Sequence, residues 1–208
     1  ASMVGGGTFP RPGEITLAHR GVLFLDEFPE FDKVVIESLR QPLEEKKVLI
    51  ARAKTSIEFP ADCILIATMN PCPCGYMGSK QKDCTCTPAE IKMYQKKLSG
   101  PIIDRIDMWI EVSTVDYEKL NSNINPGETS QVVAERVGSA RKEIDIQKEI
   151  RLIPEVEKLL TLSAKRLNLS ARAYYKTIRI AQTIAFLENR DRIETKDILE
   201  ALQYRPKT

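Results

Sequence analysis

The chain has 208 residues, 42% of them hydrophobic, which is enough to build a core in one large domain or two modest ones. Thirty-one Lys plus Arg against 29 Asp plus Glu leave a formal charge of +2, which excludes a globally basic nucleic-acid binder, so any such contact must be local. No apolar run reaches the roughly eighteen residues of a membrane span, and Ala1–Gly7 has no charged segment followed by an apolar one, so a cytoplasmic protein with no membrane partner is expected.

Residues 1–21 are rich in Gly and Pro, which favours loop and gives no start signal for an independent domain. Gly21–Leu25 is an apolar run closed by Asp26-Glu27, the pattern of a strand buried on both faces. Asp32 is placed to cap a helix through Val35, Leu39 and Leu43, with Pro42 breaking or kinking it. Lys47–Arg52 and Thr55–Phe59 read as two strands joined near Ala53-Lys54. A second buried strand runs from Cys63 to Thr68 and ends at Met69-Asn70-Pro71, and a third is expected at Met108–Val112. After Asn125-Pro126-Gly127 the pattern turns helical: a long polar stretch to Glu149, then 154–167, 170–187 and 194–202, with Ser170 as a natural cap. The expected fold is therefore α/β over residues 1–125, with a parallel sheet, followed by an all-α domain over 126–208.

Two adjacent carboxylates at the C-terminal end of a buried strand suit metal-assisted phosphoryl transfer, because ligands sit beyond the carboxyl edge of parallel strands. Asp26 is placed to hold Mg2+ and Glu27 to polarise an attacking water. Alone, the pair reads equally well as a solvated acidic turn. Asn70 ends a second apolar strand, where its amide can orient the same water, and Arg105 and Arg172 add cations of the kind that stabilise charge on a transferring phosphoryl group. Taken singly, each arginine reads as a surface salt-bridge partner.

The blocks 5–15, 17–31, 40–44, 69–75 and 99–107, in that order, and the helix 170–185, resemble the magnesium-chelatase-like AAA+ ATPases of the ComM type over nearly the whole chain. The resemblance implies an AAA+ core and a C-terminal helical lid. It makes Asp26 and Glu27 the Walker B pair, Asn70 sensor 1, Arg105 the arginine finger and Arg172 sensor 2, acting on ATP with Mg2+ in a ring of six copies. Gln182 departs from the arginine that the resemblance predicts there. No Gly-x-x-x-x-Gly-Lys-Ser/Thr occurs in these residues, so they are expected to be the C-terminal portion of a longer ATPase and to be inactive alone.

Cys72-Pro73-Cys74 and Cys84-Thr85-Cys86 supply four thiolates, enough for a tetrahedral zinc site; reduced free thiols or an oxidised loop are the alternatives. Cys63, inside an apolar run, reads as a buried thiol, and the sole histidine, His19, as structural. Arg52 and Lys54 stand at the hairpin tip, which in related ring ATPases points into the central channel, so they are candidates for DNA contact or simply solvated charges. Two classes of parent protein follow: a hexameric DNA helicase or branch-migration motor, and a chelatase- or chaperone-type ATPase that remodels a protein or drives metal insertion. A non-enzymatic zinc-stabilised interaction domain is a third.

Overall fold

The computed structural model describes residues 3–7, 10–51, 56–79, 82–112, 127–146, 150 and 152–206. It divides into two compact units, Ala1–Ile106 and Asp107–Thr208. In the first unit β1 (Gly5–Gly6) pairs antiparallel with β2 (Arg11–Pro12). A side chain at residue 5 would collide with the Arg11 carbonyl, and with φ at +89° only glycine fits comfortably there. The short helix α1 (Glu14–Leu17) follows, and then β3 (Val22–Leu25), which pairs in parallel with β6 (Ile64–Ala67), Val22 opposite Ile64 and Leu25 opposite Ala67.

Between those strands lie α2 (Lys33–Ser38), α3 (Arg40–Glu45) and an antiparallel hairpin, β4 (Lys47–Ala51) with β5 (Ser56–Pro60). The hairpin matches the expected ribbon; its tip, with Arg52 and Lys54, lies outside the described residues. The helix break falls at Leu39 rather than at Pro42, which sits in the first turn of α3, where a missing N–H costs little. Asp32 is the N-cap residue of α2 but makes no side-chain cap bond.

Leu23, Leu25, Ile36, Leu39 and Val48 are buried, whereas Val22, Phe24, Ile64 and Ile66 are roughly half exposed. The expected strand buried on both faces is thus covered on one face only, because the described residues supply a layer for the Leu23–Leu25 side alone. Cys63 precedes β6 instead of lying in it and is half-buried; desolvation, with the nearby Asp62 charge, raises its pKa. His19 is structural, its Nδ1 accepting the Asp62 N–H at 3.1 Å. After β6 come α4 (Pro88–Gln95), opened by a capping box between Thr87 and Glu90, and α5 (Gly100–Ile103), which buries Ile102.

In the second unit Met108–Val112 forms no strand; the Trp109 N–H donates to the Tyr204 carbonyl at the end of a helix instead of to a ladder. The four helices expected from periodicity are present as α6 (Ser130–Ile146), α7 (Pro154–Arg166), α8 (Ala171–Leu187) and α9 (Thr195–Gln203). Ser170 caps α8, its hydroxyl accepting the Ala173 N–H at 3.1 Å. Val156 and Leu160 of α7, Ile178, Ala181 and Ile184 of α8, Ile193, and Ile198 and Ala201 of α9 form one core. None of the described helices is long and apolar enough to cross a membrane.

Beside that core Asp197 is almost wholly buried and accepts both Arg190 guanidinium nitrogens, at 2.8 and 2.6 Å, and the Glu194 N–H at 2.8 Å. Burial opposes its charge, but the Arg190 and Glu194 donors outweigh it and hold the carboxyl below the usual aspartate range. A lowered folded-state pKa contributes stability that is complete above the unfolded value of about 4 and is lost as pH falls through the lower folded value. Asp197→Ala is expected to cost about 3 kcal/mol in urea unfolding followed by circular dichroism at neutral pH. A cost under about 1 kcal/mol, the level of a surface pair, would contradict this reading.

Candidate functional site

The C-terminal ends of the parallel pair carry the first cluster. The Thr68 N–H donates to the Leu25 carbonyl at 3.0 Å, and the Thr68 carbonyl accepts the Phe28 N–H at 2.8 Å, so the end of β6 is pinned to the chain on both sides of Asp26-Glu27. The Thr68 side chain completes the link: its hydroxyl donates to Asp26 Oδ1 and accepts the Glu27 N–H at 3.0 Å. The same N–H also reaches Asp26 Oδ1, at 3.1 Å. Both bonds to the carboxylate fall on Oδ1; Oδ2 has no protein donor among the described residues.

Glu27 has φ 50° and ψ 45°, a left-handed conformation that costs a non-glycine residue about 1 kcal/mol. It is held by the Thr68 bond and by the 3-10 turn Phe28–Glu30, whose Phe28 and Pro29 are buried. The strain sits at the residue for which a water-polarising role is expected.

Asn70 lies two residues beyond Thr68. Its backbone lies beside the hydroxyl of Tyr94 on α4, and Tyr94 is buried. Desolvation raises the Tyr94 pKa, the nearby Asn70 backbone lowers it, and the Glu30 and Glu27 carboxylates push it up again, so Tyr94 stands where the surroundings of Glu27 and Asn70 meet. Thr68 and Tyr94 are the residues that sequence reasoning missed. A β-branched polar residue ending an apolar run was the available signal for Thr68; nothing local marked Tyr94.

Arg105, just past α5, is held within its own unit. Its Nε donates to the Arg40 carbonyl at 2.9 Å, Nη1 to the Pro101 carbonyl at 2.8 Å, and Nη2 to the Glu44 carboxylate; its side chain is 13% exposed. Arg172 is the second residue of α8, half-buried in the other unit.

The four clustered cysteines come together as the spacing suggests, with all their sulfur atoms within 4.8 Å of one another. Cys72 is buried and the other three are half-buried. Backbone donors, Tyr76 foremost, lower Cys74 to about 5. Cys86 receives the Cys74 N–H, yet desolvation and the neighbouring thiols push it up to about 12, since crowded sulfurs do not all ionise without a cation among them.

The family model described as magnesium chelatase, subunit ChlI, matches residues 1–120, and that of the subunit ChlI C-terminal region matches residues 127–205. The competence protein ComM of Haemophilus influenzae is 39% identical over 98% of this chain and 42% of its own length. The protein YifB of Escherichia coli is 37% identical over 98% of this chain and 43% of its own. An uncharacterized protein of Mycobacterium tuberculosis is 32% identical over 99% and 44%. The chain spans less than half the length of these relatives.

The bonding of Arg105 gives it a stabilising role that any catalytic role would come on top of. Arg105→Ala is expected to lower the unfolding free energy by roughly 1–3 kcal/mol, because it removes the hydrogen bonds to the Glu44 carboxylate and to the Arg40 and Pro101 carbonyls. A urea midpoint unchanged in that variant would show that these bonds carry no net stability.

Proposed function

Because the chain belongs to the magnesium chelatase family, in its ComM and YifB type, we propose that it is part of an AAA+ ATPase that converts ATP hydrolysis into work on DNA. The observation that carries the ATPase reading is the Asp26–Thr68–Glu27 link at the C-terminal ends of two parallel strands, where substrates of α/β folds bind.

The residues present fit Mg2+. Asp26 offers a hard oxygen donor, and its orientation is set by two hydrogen bonds to Oδ1 that leave Oδ2 without a protein donor among the described residues. A bound Mg2+ would neutralise phosphate charge. Asp26 would hold that ion, and Glu27 accepts the proton of the attacking water in its strained but fixed conformation. Asn70 orients the water through its amide. Arg172 neutralises charge on the protomer's own nucleotide, whereas Arg105 serves that of the neighbouring copy in a ring of six. Such a reach requires Arg105 to exchange Glu44 for a phosphate oxygen. The 208 residues contain no glycine-rich phosphate loop, so ATP binding in this reading needs the further length found in the relatives. The division of labour we propose is a core over residues 1–125 and a helical lid over 126–208 that carries Arg172.

The work on DNA, as a helicase or branch-migration motor, is supported by the likeness to a competence protein and by the basic residues Arg52 and Lys54 in the sequence between the two hairpin strands. A second reading, a chelatase- or chaperone-type ATPase that acts on a protein or drives metal insertion, is favoured by the description of the matching family.

In the full-length protein Glu27→Gln is expected to lower ATP turnover by about a hundredfold or more with nucleotide binding retained, as loss of a general base does. Turnover equal to that of the parent would end the ATPase assignment. Thr68→Val is expected to raise the Mg2+ concentration for half-maximal hydrolysis about tenfold, with Thr68→Ser restoring it, as for a residue that orients a metal ligand. For the DNA reading, Arg52→Ala with Lys54→Ala should weaken DNA binding and reduce its salt dependence by about one phosphate contact per residue removed. Hydrolysis stimulated by a protein partner and indifferent to DNA would favour the second reading.

A further inference from the structure

The cysteine quartet holds chemistry that ATP hydrolysis does not use. Cys72 Sγ lies 3.4 Å from Cys74 Sγ and 3.7 Å from Cys84 Sγ, and Cys74 Sγ lies 3.6 Å from Cys84 Sγ. An ion at the centre of a tetrahedron with metal–sulfur bonds of about 2.3 Å sets its sulfur atoms about 3.8 Å apart, so the observed spacing is that of ligands to a single ion. An iron–sulfur cluster would interpose sulfides and spread the cysteines further.

The local backbone is arranged around the sulfurs. The Met77 N–H points to Cys72 Sγ and the Cys74 N–H to Cys86 Sγ, each at 3.4 Å, and donors of this kind favour thiolate over thiol. The Gly75 N–H closes a turn on the Cys72 carbonyl at 3.0 Å, and both Gly75 and Gly78 take positive φ, +80° and +78°. These turns bring Cys72 and Cys74 to one point, to which Cys84 and Cys86 return just before the Thr87 cap of α4.

We propose that Cys72, Cys74, Cys84 and Cys86 bind one Zn2+ ion, as a closed structural site that seats Asn70. Soft thiolates in a tetrahedron select zinc among common divalent ions, and four protein ligands leave no position for a substrate. The link to Asn70 is direct: a methyl group on Gly75 would stand 4.0 Å from Asn70 Cγ, so the loop lies against that side chain. The Asn70 backbone also lies beside Tyr94 of α4, the helix to which the loop returns. The ion thus closes the excursion between Asn70 and α4, and its binding energy becomes folding energy for that segment.

The test uses full-length protein purified under reducing conditions without chelator, and its metal readout does not depend on ATPase activity. Elemental analysis is expected to give about one zinc per chain. Cys84→Ser with Cys86→Ser should lose it, and Cys63→Ser should keep it. Replacement by Co2+ should give the intense visible bands of a tetrahedral ion with thiolate charge transfer in the near ultraviolet; this decides the matter in the parent protein if the double variant does not fold. Removal of the ion should raise hydrogen exchange in peptides spanning Asn70–Tyr94 and leave those of α8 unchanged. Zinc well below one equivalent after reconstitution, iron with acid-labile sulfide, or an octahedral cobalt spectrum would overturn the site; exchange that rises equally throughout the chain would overturn its seating of Asn70.

Discussion

The parallel pairing of two four-residue strands is the constraint on which the first unit depends. Once Val22 lies opposite Ile64, Leu25 lies opposite Ala67, and the next residue of each chain can meet only across the ends of the strands. There Thr68 bonds Leu25 and Phe28 with its backbone and Asp26 and Glu27 with its hydroxyl. A slip of one residue would exchange the buried Leu23 and Leu25 for Val22 and Phe24 and would carry Thr68 away from the carboxylates, so core and site share one register.

The other elements of this unit restrain what that register places. The chain leaving Thr68 passes Asn70, folds around the cysteines and returns as α4, whose buried Tyr94 lies beside the Asn70 backbone. Further along, Arg105 ties the end of α5 to α3 through the Arg40 carbonyl and Glu44. The second unit relies on other forces: an apolar seam of α7, α8 and α9, beside which a buried carboxylate is satisfied by Arg190 and the Glu194 N–H.

Much of this architecture was legible in the residues. Helical periodicity located α6 to α9 to within a few residues, Ser170 announced its cap, and alternating apolar segments gave the β4–β5 ribbon. The two Cys-x-Cys pairs foretold a convergence of sulfurs that the fold provides. The Met108–Val112 run was misleading, since apolar character gives a strand only where a neighbour offers a ladder, and here the Trp109 N–H is taken by Tyr204. For β3 the described residues cover one face only, and hydrophobicity on both sides of a strand does not say which side another layer covers.

By itself, then, the sequence determined what its neighbours along the chain can enforce: helix faces, caps, the hairpin, the strand-end carboxylates and the family to which they belong. Tertiary structure alone decided that Thr68 orients Asp26 from 42 residues away, that Glu44 takes Arg105 from 61 residues away, and that Tyr94 lies beside Asn70. The physical reason is that propensity and periodicity act over one or two turns, whereas a hydrogen bond between remote residues exists only after strand register and core packing have fixed the path between them.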